Sequence, residues 1–180
     1  TVATLEDAGI VYASEDSMGV YNAGGVSIAL LAYQTFNDAY ERLSEEMPMD
    51  VAAAKANYDV VIVSFHWGNE MDYAPHERQI ALGRLAVDSG ADLVLGHHSH
   101  RVNPIELYKG KYIVYSLGNF VFSGNSQPSD MDTFIFQQKM IVSGDGVTDG
   151  GFRIIPCSIS SVTGENGKKS GENDFAATPF

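Results

Sequence analysis

Apolar positions along the chain fall into two contrasting patterns, one nearly continuous and one broken into short alternating runs. Asp59-Val60-Val61-Ile62-Val63-Ser64-Phe65 is β-branched and almost uninterrupted, the pattern of a strand covered on both faces in a parallel sheet. Asp92-Leu93-Val94-Leu95 repeats it in shorter form. Between them, Pro75 suits a first helical position, Glu77 falls in the first turn and Gly90 suits a C-terminal stop, which predicts a helix. Strand, helix and strand together predict a βαβ unit. A right-handed crossover then places both strands parallel, with their carboxyl ends at one edge of the sheet, where open α/β sheets bind ligands.

Upstream, Val20 to Tyr33 reads as a hairpin around Asn22 to Gly25 that feeds a central strand. Asn37 caps a predicted helix through about Glu46, and Asp50 starts another through about Ala56, with Pro48 separating them. Thr1 to Gly9 reads as the tail of a helix ending at the glycine. Downstream the second pattern takes over, predicting strands at Val102 to Leu107, Lys111 to Ser116, Phe120 to Phe122, Thr133 to Val142 and Gly151 to Ser160. Turns at Tyr108-Lys109-Gly110-Lys111 and Ser143-Gly144-Asp145-Gly146 join antiparallel partners. The fold class is therefore α/β, with a βαβ unit followed by antiparallel strands. Residues 1–180 read as one domain, and the glycine-rich polar stretch 161–174, where Gly-Glu-Asn occurs twice, reads as a flexible loop.

Composition narrows the partners. With 23 acidic against 11 basic residues and a net charge of −12, the chain lacks the basic footprint that phosphate backbones need, which argues against nucleic acid. A polyanionic ligand is also repelled by the average surface, so any anion needs a local source of positive charge, and bound metal supplies one. Hydrophobic residues make up 44% of the chain, enough for a substantial core. Cys157 is the single cysteine; in Ile154-Ile155-Pro156-Cys157-Ser158-Ile159 it reads as a buried strand residue rather than a nucleophile. No apolar run is long enough to span a bilayer.

Histidines concentrate where the two parallel strands stop. His66 ends the first run, in Phe65-His66-Trp67-Gly68-Asn69-Glu70, and Gly96-His97-His98-Ser99-His100 ends the second. Imidazole is a common ligand for zinc, iron and manganese, and a His-x-His pair on a tight loop aims two rings at one small volume. His66, His98 and His100 are accordingly read as metal ligands. His97 has three readings: a ligand, a hydrogen-bond donor behind one, or a loop residue packed on the sheet. Glu70 either orients a histidine or contacts substrate, or it caps local backbone. Asn119 either lines the crevice through its amide or makes a tight bend with Gly118. Trp67 either walls the site or is packed, Arg101 is placed to meet an anionic substrate group, and His76 reads as a capping or surface residue.

His66-Trp67-Gly68-x-Glu70, Gly96-His97-His98-x-His100 and Tyr115-Ser116-Leu117-Gly118-Asn119-Phe120-Val121-Phe122, in that order, resemble the bacterial CapA family of poly-γ-glutamate capsule biosynthesis proteins, within the calcineurin-like metallophosphoesterase superfamily. His66 matches that superfamily's histidine after a strand, and His98-Ser99-His100 matches its Gly-His-x-His loop with one extra histidine. The superfamily's earlier Asp-x-His, Gly-Asp and Asn-His blocks do not precede His66 here. The resemblance therefore implies the C-terminal half of a two-sheet sandwich flanked by helices. It further implies a divalent metal (Mn, Fe or Zn), two ions in the complete domain, and metal-dependent hydrolase chemistry within capsule biosynthesis. Implied partners are an anionic polymer or phosphoester substrate and other capsule synthesis proteins. The implied location is the extracellular face, with a membrane anchor outside these residues. A non-catalytic polymer-binding or assembly subunit is the alternative. A half domain would also leave a sheet edge open to pairing, and hence to a homodimer.

Overall fold

Four strands run parallel at the centre of the molecule, and their sequences are apolar enough for one face to be buried throughout. The computed structural model describes residues 1–36, 39–162 and 173–180. A six-stranded mixed sheet has the order β1-β2-β3-β4-β6-β5. Its strands are β1 (Gly19–Ala23), β2 (Val26–Gln34), β3 (Val60–His66), β4 (Leu93–His97), β5 (Ile105–Tyr108) and β6 (Lys111–Val114). Strands β2, β3, β4 and β6 are mutually parallel, whereas β1 and β5 are antiparallel at the two edges. The predicted βαβ unit is present as β3, α3 (Glu77–Asp88) and β4. Its helix starts later than predicted: His76 is the N-terminal cap and Pro75 precedes it.

One face of the sheet is covered by helices. Ala29, Leu31 and Tyr33 from β2, Val61, Val63 and Phe65 from β3, Val94 from β4 and Ile113 from β6 share a core with Leu43, Met47, Val51 and Ala54 of α2 and Leu82 and Ala86 of α3. Helix α2 (Tyr40–Asn57) is continuous through Pro48, which corrects the two-helix expectation. Its buried stripe at i, i+4, i+8 and i+11 runs past the proline, so packing outweighs the local breaker. The predicted cap Asn37 lies outside the described residues. The other face differs from the expectation of full cover: Ile28, Leu30, Ile62 and Leu95 are only half-buried.

The second sheet is antiparallel, built from β7 (Asp132–Ser143), β8 (Gly146–Ser158) and β9 (Thr178–Pro179). It meets the first sheet where Tyr112 of β6 packs on Phe136 and Phe152. The architecture is thus mixed α/β with a separate antiparallel sheet. Phe120 to Phe122 forms no strand, and β5 begins at Ile105 rather than Val102. Val102 and Leu117 instead form an isolated bridge. Helix α1 (Val2–Asp7) ends just before Gly9, which has φ +66°. Cys157 is fully buried on β8. Of the predicted loop at 161–174, residues 163–172 lie outside the described residues. Among the described residues no helix is long and apolar enough to cross a membrane.

Candidate functional site

Strand register brings the candidate residues together. Gln34, His66 and His97 are paired neighbours across β2, β3 and β4, so three parallel strands end at one level and their following loops share the carboxyl edge. Above that edge the His66 and His98 rings lie 4.6 Å apart between centroids, and His98 and His100 lie 6.3 Å apart. The loop after β4 reaches this arrangement by an unusual route: His98 has φ +102° and His100 φ +57°. A non-glycine residue held in the left-handed region costs about 1–3 kcal/mol, and such strain gathers at functional loops.

Several contacts hold the strained loop. The Met71 amide donates to the Ser99 carbonyl (2.8 Å), which ties the loop after β3 to the loop after β4. The Ser99 hydroxyl, buried, donates to the Arg101 carbonyl (3.0 Å). Asn103 Nδ2 donates to the Asp72 carbonyl (2.8 Å) and to Ser99 Oγ (3.4 Å). Beneath the loop, Trp67 is fully buried, stacked on Phe65 and Tyr115, with its indole N–H donating to the Tyr115 carbonyl (2.9 Å). Trp67 therefore supports the site from the core and does not form its wall.

The imidazoles are electronically suited to bind a cation. Burial lowers the His66 pKa, and the neighbouring His98, His97 and His100 lower it further. Burial also lowers His98, with Glu70 opposing and His100 reinforcing the shift. His97 is lowered by burial alone. Neutral rings keep a lone pair available. His100 Nδ1 lies 2.7 Å from Asn119 Oδ1; that oxygen can only accept, so Nδ1 carries the proton and Nε2 presents its lone pair. A ring nitrogen pinned by an amide or carboxylate oxygen is the usual partner arrangement for a metal-binding histidine. The donor chemistry thus fits a divalent metal. The grouping is incomplete as it stands: among the described residues no three His, Cys, Asp or Glu side chains are close enough together to hold an ion.

The remaining sequence candidates are placed as follows. Glu70 is exposed and near enough to His98 to raise its pKa. His97 is half-buried at the end of β4, and its carbonyl accepts from the Trp67 amide (3.3 Å). Asn119 follows Gly118 (φ +78°), and its side-chain amide reaches His100. Arg101 is buried, with Nη1 on the His100 carbonyl (2.9 Å), Nη2 on Ser129 Oγ (2.6 Å) and Nε 4.0 Å from Asp130. It braces the loop from inside. His76 caps α3.

Two aromatic residues escaped the sequence reading. Phe36, exposed, sits edge-on to both His66 (5.2 Å) and His98 (4.9 Å), and Phe122 flanks His100 (5.2 Å). The signal for Phe36 is its position just beyond the carboxyl end of β2, level with His66. Phe122 was assigned to a strand, which hid its approach to His100.

Comparison with known proteins places the chain in a family. The family model described as bacterial capsule synthesis protein PGA_cap matches residues 1–124, a span that holds every candidate above except the bracing residues Ser129 and Asp130. The chain is 33% identical over 173 residues to the PGA biosynthesis protein CapA of Bacillus subtilis (strain 168), covering 88% of this chain and 44% of that protein. It is 39% identical over 105 residues to the capsule biosynthesis protein CapA of Bacillus anthracis, covering 58% and 24%. A probable polyglutamine synthesis accessory protein of Mycobacterium tuberculosis is 39% identical over 83 residues, covering 46% and 22%. The chain thus spans less than half the length of these relatives.

Proposed function

The chain belongs to the PGA_cap family of bacterial capsule synthesis proteins, and from that premise we propose that it acts in making or attaching a poly-γ-glutamate-type capsule polymer through a metal-dependent hydrolytic centre at His66, His98 and His100. The observation that carries this reading is the left-handed His98-x-His100 loop, which turns two imidazoles toward a third on the neighbouring strand against a backbone cost.

In this reading His66, His98 and His100 hold a divalent ion, with further donors coming from solvent, substrate or chain beyond these residues. Such an ion would supply Lewis acidity toward a carbonyl or phosphoryl oxygen and would make bound water more acidic. The chain's own residues do the rest. Asn119 fixes the His100 tautomer, and desolvation lowers the pKa of His66 and His98, which favours the neutral ring. Phe36 and Phe122 narrow solvent access to the rings. In a chain of net charge −12, an anionic polymer needs a local positive charge to approach, and an ion held by these rings would provide it.

The test is hydrolysis of a phosphoester and of a γ-glutamyl polymer, each with Mn, Fe or Zn supplied, together with bound-metal analysis of wild type and of His66→Ala, His98→Ala and His100→Ala. Loss of metal and turnover in folded variants supports the centre, while no turnover of either substrate by wild type refutes the hydrolase.

A second reading is a non-catalytic polymer-binding or assembly subunit working with other capsule synthesis proteins. It is favoured by the absence of a closed set of three metal donors among the described residues and by the accessory role in one relative's name. It predicts polymer binding that survives His98→Ala and His100→Ala.

A further inference from the structure

A separate pocket of about 170 Å³ opens on the same edge of the sheet, lined in part by Thr35, Tyr40, Asn69, His76, Arg78 and Gln79. It adjoins the imidazoles through the backbone: Thr35 follows β2, its amide donates to the His66 carbonyl (3.0 Å), and Asn69 lies three residues beyond His66.

The lining contrasts with the rest of the chain. Acidic residues outnumber basic ones 23 to 11 overall, yet among the described residues no carboxylate lines this pocket, and Arg78 is its charged member. The Arg78 guanidinium lies 4.8 Å from the Tyr40 ring centroid, and its Nη2 is 3.6 Å from the exposed Glu41. Gln79 is 4% exposed. Its Oε1 accepts from the His76 amide (3.0 Å), which commits the acceptor end of the amide and leaves Nε2 as the end that can donate to a ligand. Helix α3 begins at the same place, so its first-turn amides add to the positive potential. A cation, a side-chain amide donor and a helix start around one small cavity have the chemistry of an oxyanion pocket, and the volume suits a carboxylate and the carbon that bears it.

We propose that this pocket is a substrate subsite that holds one carboxylate of a γ-glutamyl chain and so fixes the chain's register against His66. The proposal rests on the reading of a glutamyl polymer as the ligand, but not on that polymer being hydrolysed. A phosphate group carries the same oxyanion chemistry, so the experiment separates the two sources.

Equilibrium binding of a synthetic γ-glutamyl oligomer, of the same oligomer with its carboxylates amidated, and of inorganic phosphate is measured on the wild-type protein, Arg78→Gln, Gln79→Glu and the control Arg84→Gln. Arg84 pairs with Glu106 (2.6 Å), outside this pocket. Unfolding midpoints establish that each variant is folded, and Arg78→Gln changes an exposed side chain that the core does not need. The expected result is about 10-fold weaker oligomer binding in Arg78→Gln, a larger loss in Gln79→Glu, no change in Arg84→Gln and little binding of the amidated oligomer. Binding within twofold of wild type in both pocket variants overturns the subsite and leaves the polymer reading intact. Phosphate binding that is Arg78-dependent while oligomer binding is not overturns the carboxylate assignment. A wild-type protein that binds no oligomer overturns the subsite and the polymer reading together.

Discussion

Gly96→Ala removes the space on which the histidine loop depends. A Cβ built at Gly96 lies 2.1 Å from the Tyr115 carbonyl oxygen and 2.4 Å from Trp67 Nε1, on top of the hydrogen bond that joins those two atoms. Neither neighbour has room to yield: Trp67 is fully buried between Phe65 and Tyr115, and the carbonyl belongs to backbone next to β6. Overpacking a tight core costs about 1–3 kcal/mol, and parting a buried donor from its acceptor costs about 1–3 kcal/mol more. The substitution should therefore destabilise the protein by roughly 2–6 kcal/mol, against a typical total of about 5–15 kcal/mol. With a urea slope of about 2–3 kcal/mol per molar, the unfolding midpoint should fall by roughly 1–3 M. Trp67→Phe loses the indole bond but relieves part of the clash, so the double variant should be less destabilised than the sum of the singles. A Gly96→Ala protein within about 1 kcal/mol of wild type, or strict additivity with Trp67→Phe, would refute the close-approach argument.

Other consequences are equally open to measurement. His98→Gly should relieve the left-handed backbone, for a net gain of about 0.5–2 kcal/mol after the entropy cost of glycine, while reducing metal uptake; a loss of stability in urea titration would show that the loop is not strained. Asp92 is 2% exposed and accepts from Lys55 (2.8 Å), Lys111 (2.7 Å) and the Val61 amide (3.0 Å). Because both lysines keep some solvent contact, Asp92→Asn should cost about 2–3 kcal/mol, below the range for fully buried pairs, and thermal unfolding at neutral pH would read this. The lowered pKa values of His66, His97 and His98 mean that the unfolded chain binds more protons than the folded one as pH falls below about 6.5. Metal-free protein should therefore lose stability from about pH 6.5 downward until the folded-state pKa values are passed. Replacing His66 by Ala should shallow that slope, and an unchanged pH profile would contradict the assigned shifts.

The sequence made the parallel core readable because β-branched runs at Asp59 to Phe65 and Asp92 to Leu95 admit few alternatives, and the helix between them has start and stop signals of its own. It misread α2 because Pro48 is a strong local signal and the stripe of Leu43, Met47, Val51 and Ala54 is a tertiary one. Only the sheet face that receives the stripe makes the proline affordable. Phe120 to Phe122 failed for the converse reason. Its apolar pattern suits a strand, but Gly118 pairs with Thr133 and Phe122 turns to His100, so contacts distant in sequence decide its path.

For the site, the chain revealed which residues meet but not how. Two strands ending in histidines imply a shared crevice by topology alone, and the register of His66 beside His97 is what that topology requires. The positive φ at His98 and His100 is not visible in a Gly-His-His-Ser-His string, because neither histidine favours it intrinsically; the ties from Met71 to Ser99 and from Asn103 to Ser99 impose it. Arg101 shows the limit of reading charge by adjacency. Beside the cluster in sequence, it is buried under the loop with its guanidinium directed at Ser129 and the His100 carbonyl, while Arg78, far from the cluster in sequence, lines the pocket next to it. Strand order explains the exchange. The loop after β4 turns back over its own arginine, whereas the start of α3 stands beside the end of β3, so the cation available to a ligand comes from the helix.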